Sequence, residues 1–87
     1  MKAVVTVIGK DMVGILAKVS TVCAEANANV IEVTQSVLQD YFAMIMLIDI
    51  SALNRELDQL QSDLNDRTEG MTIHAMHEDI FNSMHRI

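Results

Sequence analysis

The sequence predicts an α+β domain whose elements follow the order β-α-β-β-α-β. Two observations support this fold class: several β-branched runs have the period of a strand, and two longer stretches repeat their apolar residues about every 3.6 residues, as helices do. The chain has 87 residues, no proline and no linker-like segment. We therefore predict one domain over residues 1–87, large enough to hold a single core.

Composition narrows the classes of partner. The formal net charge is -6 at pH 7, which repels the phosphates of nucleic acids and anionic membrane surfaces. We therefore expect no nucleic-acid or membrane partner. The single cysteine, Cys23, cannot form an internal disulfide, and no apolar run approaches the roughly 20 residues that a membrane span needs. These features predict a cytoplasmic protein.

The first strand and the first helix are predicted from the start of the chain. Lys2 to Ile8 is an almost uninterrupted apolar, β-branched run, typical of a strand in the middle of a sheet. After a short turn, we expect Asp11 to cap a helix, because its carboxylate can accept an unpaired N–H of the first turn. Segment 26–29 contains two asparagines and is expected to end that helix. The predicted apolar stripe of the helix consists of Ile15, Leu16, Val19, Val22, Cys23 and Ala26.

Two further strands are predicted to form a hairpin. Val30 to Leu38 alternates in polarity, with Ile31, Val33 and Val37 expected on the core face. Tyr41 to Ile50 is apolar on both faces, which indicates a central strand whose second face also needs cover. The short connection between the two makes them antiparallel. The core face of the later strand is predicted to carry Phe42, Met44, Met46, Ile48 and Ile50.

The remaining elements are a second helix, a fourth strand and a short ending. Ser51 is expected to cap the helix, Gly70 to stop it, and Met71 to His77 to form the strand. A short helical turn is predicted at about residues 79–87. The second helix is marked by the leucines at its apolar positions: Leu53, Leu57, Leu60 and Leu64.

This order of elements, at this length, is that of the ferredoxin-like sandwich. Right-handed crossovers place both helices on one face of a four-stranded antiparallel sheet. The other face is then bare, although the first and third strands are apolar on that side too. We therefore expect a second chain to cover it, and a homodimer as the assembly.

A small polar cluster is the candidate site. Gly14 stands where we expect the first helix to be under way, although glycine costs roughly 0.5–1 kcal/mol there relative to alanine. Either another backbone approaches closely, or a small anionic ligand rests on the helix start, which carries free N–H groups and the positive dipole end. Asn29 opens the second strand and is expected to lie near the same loop. For Asp11 and Gly14, a helix cap with a close helix–strand crossing and a ligand site both stay open. For Asn29, a turn residue and a ligand contact both stay open.

Other chemistries find less support. The central strands lack the stacking aromatics of an RNA-binding module. The loop after the first strand lacks the cysteine pair that a metallochaperone of this topology needs, and it lacks the arginine that an acylphosphatase-like enzyme needs. His74 and His77 lie three apart on a strand and so point to opposite faces, which leaves a metal site dependent on His85 folding back. We predict no catalytic residues, no metal ligands and no cofactor.

Two segments carry a family resemblance. Gly9–Leu16 and Ala26–Val30 resemble the ACT domain family, in which a polar residue precedes a glycine by three positions at the first helix and Asn-Ile opens the second strand. The similarity extends from Lys2 to His77. The ending, Ile80–Ile87, is similar to that of small stand-alone ACT-domain proteins of bacteria and archaea.

The resemblance implies a regulatory module that binds an amino acid or another small metabolite, usually across a dimer interface. The ligand contacts it implies are Asp11, Gly14, Ile15 and Asn29. Many members have proline just before the glycine and histidine or asparagine earlier in the loop, where this chain has Val13, Gly9 and Asp11. An aspartate there changes the charge offered to the ligand, so no standard ligand specificity is carried over. The sequence also leaves room for a ligand-free protein-interaction subunit, or for an accessory subunit of a transcription regulator that acts through protein contacts.

Overall fold

The computed structural model describes residues 1–10 and 14–84. Its elements are β1 (Lys2–Gly9), α1 (Ile15–Glu25), β2 (Asn29–Leu38), β3 (Tyr41–Asp49), α2 (Leu57–Arg67), β4 (Thr72–His77) and α3 (Glu78–Met84). The strands form one antiparallel sheet in the order β2-β3-β1-β4. The predicted ferredoxin-like fold is confirmed, and α3 occupies most of the region predicted as a terminal helical turn.

The core lies between one face of the sheet and helices α1 and α2. Alternate residues of β1 and β3 enter it, because successive side chains of a strand point to opposite faces. With so few aromatic residues, the core is filled by aliphatic side chains and by two methionines, Met44 and Met46, that are fully buried. Thr68 is the buried polar residue of the described chain, and its hydroxyl donates a 2.6 Å hydrogen bond to the Leu64 carbonyl. The other fully buried large side chains are Ile48, Leu60, Leu64, Val5, Val7, Val19, Val22 and Cys23.

The start of α1 differs from the prediction. The helix begins at Ile15 and its N-cap is Gly14, not Asp11, which lies outside the described residues. Gly14 has φ +72°, a left-handed conformation that is costly for residues with a Cβ atom. Apart from its chain neighbours, no heavy atom of the described residues lies within 4 Å of the position that a Cβ would take there. Within the described chain, close approach of another backbone is therefore the wrong explanation for this glycine, and its left-handed conformation accounts for a residue without a Cβ atom.

A β-bulge changes the pattern of β2. The register against β3 shifts between Val30 and Glu32, which places Ile31 in the irregularity and leaves it 46% exposed. The prediction that Ile31 faces the core is therefore wrong, and Val30 and Val33 pack against the core instead. Val37 pairs with buried Phe42 but is 59% exposed, so the prediction that it lies in the core is also wrong; it lies close to the turn that ends the edge strand β2.

The second helix begins later than predicted. It starts at Leu57 with Glu56 as the N-cap, so Ser51 does not cap it. The Ser51 hydroxyl instead accepts a 3.0 Å hydrogen bond from the Met1 ammonium, and the Ser51 N–H donates to the Asp49 carboxylate at 2.8 Å. Both bonds are made with residues at the ends of the central strands, Met1 before β1 and Asp49 at the end of β3, so this serine helps to close the end of β3.

The second face of the sheet, which we call the open face, is partly covered from within the chain. Helix α3 contacts β1 and β4, and Phe81 and Met84 border the same groove as Thr6, Ile8 and His74. These strand residues alternate with those that enter the core, so α3 lies on the side away from α1 and α2. The β2–β3 half of the face carries no described helix. No helix of the described chain is long and apolar enough to cross a membrane.

Candidate functional site

The N-terminus of α1 has the features of an anion-binding site. The first intrahelical bond runs from the Lys18 N–H to the Gly14 carbonyl at 3.0 Å, so the amides of Ile15, Leu16 and Ala17 have no partner within the helix. No side chain of the described residues caps them, and the first turn carries no acidic residue. Free N–H groups at the positive end of the helix dipole can therefore bind a carboxylate or a phosphate.

Asn29 does not lie beside this helix start in the same chain. Gly9 ends β1 opposite Phe42, whereas Asn29 pairs with Asp49 at the other end of β3. Helix α1 has 11 residues and separates the two places, by about 16 Å at roughly 1.5 Å per residue. The prediction that Asn29 lies near the loop is therefore wrong for a single chain. Of the predicted ligand-binding residues, the structure places Gly14 and Ile15 together, with Asn29 remote.

A depression of mixed polarity at the same end of the sheet as Gly14 was missed by sequence reasoning. The Lys10 ammonium lies 5.7 Å from the centroid of the Tyr41 ring, within the range of a cation–π interaction. The depression beside them measures about 410 Å³. The two residues are far apart in sequence and meet because β3 begins where β1 ends. Its lining is formed by Lys10, Val37, Gln39, Asp40, Tyr41 and Phe42.

The two edge strands of the sheet, β4 and β2, differ in whether another part of the chain binds their outer backbone groups. At the β4 edge, the Gln61 side-chain amide donates to the Ile73 carbonyl at 2.7 Å and accepts from the Ala75 N–H at 2.6 Å. Gln61 thus occupies backbone groups that would otherwise pair with another strand. Strand β2, at the opposite edge, pairs only with β3 within the described chain. No sequence signal marked Gln61, since a polar residue on an exposed helix turn looks ordinary.

The histidines lie as the strand period predicts. His74 pairs with Thr6 on the open face, and His77 pairs with Ala3, whose side chain enters the core on the opposite face. His85 lies outside the described residues. Among the residues that are described, no three His, Cys, Asp or Glu side chains are close enough together to hold a metal ion.

Cys23 is buried in the core. Burial raises the pKa of its thiol from the usual 9.0 to about 11, because desolvation disfavours the thiolate. The thiol therefore stays protonated at neutral pH and is a poor nucleophile. Its location agrees with the core position predicted for it on the apolar stripe of α1.

The order of the elements and the strand order β2-β3-β1-β4 define a small ferredoxin-like α+β domain. The profile of the ACT domain family matches residues 2–77, and the chain belongs to this family. The resemblance drawn from the sequence is thereby confirmed. ACT domains are small-molecule-binding regulatory domains, and the family points to regulation rather than catalysis.

Relatives and solved structures agree with this assignment. A UPF0237 protein of Listeria innocua is 45% identical, over 100% of both chains. A UPF0237 protein of Methanopyrus kandleri is 44% identical over 99% of this chain and 98% of its own. The structure of an ACT domain protein from Streptococcus pneumoniae is 34% identical, with a TM-score of 0.78 and 93% coverage of each chain. A formyltetrahydrofolate deformylase from Pseudomonas syringae contains a similar domain, with 25% identity, a TM-score of 0.77 and coverage of 87% of this chain and 27% of the enzyme.

Proposed function

We propose that this protein is a regulatory subunit that binds a small metabolite, an amino acid in the first instance, as a homodimer and without catalysis of its own. The observation that carries the proposal is the family match over residues 2–77. The uncapped start of α1 supports it, because that is where the described residues offer unpaired backbone donors to a ligand carboxylate.

The proposed ligand contacts follow from charge. The amides behind Gly14, beginning with that of Ile15, bind the carboxylate of the amino acid. Asp11 supplies a negative charge for the ammonium group of the amino-acid ligand. Lys10, which follows β1, supplies a cation at this end of the sheet, where Asp40 lines the same depression.

The position of Asn29 supports a dimer. One ligand can contact both the start of α1 and an Asn29 side chain only if a second copy supplies the asparagine. Antiparallel pairing of two β2 strands would bring Asn29 of the partner subunit to the end of β2, which is the same end of the sheet as Gly14. The edge of β2 is open to such pairing in the described chain, whereas Gln61 occupies the edge of β4.

Regulation then follows from linkage. A ligand held between two copies binds best to one relative arrangement of the copies and raises its population. A partner that recognises this arrangement is bound more tightly when ligand is present, and by reciprocity the partner raises the affinity for ligand.

The proposal is tested by thermal unfolding with each of the standard amino acids and with common divalent metals. We expect one amino acid to stabilise the protein, by about 2.7 kcal/mol at a hundredfold excess over Kd. The Asp11→Ala variant should lose this stabilisation. Asp58→Ala removes the acidic residue in the first turn of α2. It is the matched control and should keep the stabilisation by the amino acid.

Amide chemical shifts locate the ligand. Addition of the stabilising amino acid should move the amide signals of residues 15–18 and leave those of residues 57–60 in place. Absence of any stabilising amino acid would contradict the proposal and favour the ligand-free interaction subunit. Stabilisation by a divalent metal alone would contradict the proposal and indicate a metal-binding function that uses the histidines.

A further inference from the structure

A groove runs along the outer edge of β4, between the start of α2 and helix α3. It measures about 350 Å³ and is formed by residues 56–58, by Ala75–His77 and by Ile80. We call it the β4 groove. Strand β4 ends here opposite Ala3, near the beginning of β1, whereas α1 follows the other end of β1. The β4 groove is therefore separate from the proposed amino-acid site.

The floor of the β4 groove is the outer edge of a strand. In an antiparallel sheet, alternate residues of an edge strand direct their N–H and C=O groups to the neighbouring strand, and the residues between them direct these groups outward. The Ile73 carbonyl and the Ala75 N–H bond to the Gln61 side chain, so Ile73, Ala75 and His77 are the outward-directed residues of β4. The Ala75 carbonyl and the His77 N–H are thus directed to the side on which a further strand can be added.

Gln61 holds the adjoining part of this edge in a form that an added strand can replace. Its side-chain amide offers an N–H donor and an acceptor oxygen, the same groups as a backbone peptide unit. A strand that takes over the bonds to the Ile73 carbonyl and the Ala75 N–H leaves neither backbone group unpaired. Because Gln61 is only half-buried, its released amide can bond to water, and the exchange has a small net cost.

The side chains on the two sides of this edge differ in character. Glu56 and Asp58 lie on the helix side, at the start of α2. Ile80 lies on the side of α3 and is 52% exposed. Successive side chains of an added strand point alternately to the two sides. A strand in which basic and apolar residues alternate therefore matches both sides of the β4 groove.

The charges around the β4 groove also favour a cationic partner. Four carboxylates line this groove and the depression next to it: Glu56, Asp58, Glu78 and Asp79. The second depression also contains Lys2 and Met1, and His77 borders both. The Met1 ammonium donates a hydrogen bond to Ser51. The net charge of -6 attracts a basic segment from a distance and repels a second copy of this chain.

We propose that the β4 groove binds an extended segment of another protein, in which basic and apolar residues alternate, by adding it to β4 as a strand. The segment takes over the backbone bonds of Gln61 and continues along the outer edge of β4. Its basic side chains meet Glu56 and Asp58, and its apolar side chains meet Ile80. Under the proposed function, this segment belongs to the protein that is regulated, but its binding requires neither the amino acid nor a dimer.

The test measures the affinity for a synthetic peptide in which lysine and valine alternate, by fluorescence anisotropy of the labelled peptide without any amino acid present. The double variant Glu56→Gln, Asp58→Asn should bind the peptide roughly fivefold more weakly, because it loses two surface ion pairs. The matched control is Glu32→Gln, Asp66→Asn, which changes the net charge equally but alters β2 and the end of α2. Its affinity should equal that of wild type, and an equal loss in both double variants would overturn the proposal.

Gln61→Ala tests whether the peptide competes with a side chain for the edge of β4. Removal of the amide frees the two backbone groups before the peptide arrives, so the affinity should rise roughly fivefold. Gln59→Ala is the matched control, since Gln59 is also on α2 but bonds to the Asp63 carboxylate. An unchanged or lower affinity of a folded Gln61→Ala variant would contradict strand addition at this edge.

Amide chemical shifts of the wild-type protein locate the peptide independently of any variant. Addition of the peptide should move the amide signals of residues 73–77, and the His77 amide should become protected from hydrogen exchange. The signals of residues 29–33, at the edge of β2, should stay in place. Shifts at β2 alone, or no shifts at residues 73–77, would overturn the proposal.

Asp11→Ala distinguishes this proposal from the proposed function. This variant should lose the thermal stabilisation by an amino acid and keep its affinity for the peptide. Peptide binding at β4 without any stabilising amino acid would sink only the ligand proposal. Stabilisation by an amino acid without peptide binding would sink only the β4 groove as a strand-binding site.

Discussion

Helices α1 and α2 have the same length, 11 residues each, and no side chain of the described residues caps either start, yet the two starts differ in charge and in backbone. Gly14 enters α1 with φ +72° and no acidic residue follows in the first turn. Glu56 enters α2 in an extended conformation, and Asp58 lies in the first turn. The dipole of α2 is thus balanced by its own side chains, whereas no acidic side chain of the described residues lies at the start of α1.

The approach to α2 is also fixed by contacts with the end of α1. The Asn54 backbone N–H donates to the Ala26 carbonyl at 3.0 Å, and the Asn54 side-chain amide donates to the Glu25 carbonyl at 2.9 Å. The Arg55 guanidinium donates to the same Glu25 carbonyl at 3.1 Å. One segment therefore leads into α2 and caps the carbonyl groups at the end of α1, as expected of a structural helix start rather than a ligand site.

The largest effect is expected at Gly14. Gly14→Ala should lower the free energy of unfolding by about 1–2 kcal/mol, the cost of a left-handed conformation for a residue with a Cβ atom. Gly14→Asn should lose less, because asparagine tolerates this conformation. The matched change at the other helix start, Glu56→Ala, should stay within about 0.5 kcal/mol. Urea unfolding measures all three, and equal stability of Gly14→Ala and wild type would contradict the backbone explanation.

A somewhat smaller effect is expected at Asn54. Asn54→Ala removes the bond to Glu25 and also the acceptor of a 2.8 Å bond from Arg55 Nε. Each such bond contributes about 0.5–1.5 kcal/mol to the free energy of unfolding. Because both bonds are exposed, we expect each to contribute a value near the lower end of this range. Asn82→Ala, at an exposed position of α3, is the control with little expected change. If both variants unfold at the same urea concentration as wild type, the hydrogen bonds of Asn54 make no measurable contribution to the free energy of unfolding.

The smallest effect concerns acid stability near the start of α2. The Gln59 side-chain amide, and then the Arg55 guanidinium, lower the pKa of Asp63 below its usual 3.8. A lowered pKa stabilises the folded state above the usual value, and this contribution is lost as the pH falls through the folded pKa. Asp63→Asn should therefore reduce the loss of stability between neutral pH and pH values below 3.8.

The comparison needs urea unfolding midpoints of both proteins at neutral and acid pH. Part of the acid dependence should persist in Asp63→Asn, because hydrogen bonds from Ser51 lower the pKa of Asp49 in the same direction. An acid dependence unchanged from wild type would mean that Asp63 makes no net contribution.

The sequence by itself determined the order of the elements, the central place of β3 and most of the core. Phe42, Met44, Met46, Ile48 and Ile50 are all buried as predicted. These features are local, since alternation and helical periodicity record which side of a segment avoids water. The family resemblance was equally readable, because its motifs lie within two short stretches.

The tertiary structure decided the rest. The start of α2 depends on Asn54 meeting the end of α1, and the occupied edge of β4 depends on Gln61 reaching across from a helix. The distance of Asn29 from Gly14 follows from the register of the sheet. Each of these features joins residues that are distant in the chain, so no local pattern could report it, and only the folded topology brings the partners together or keeps them apart.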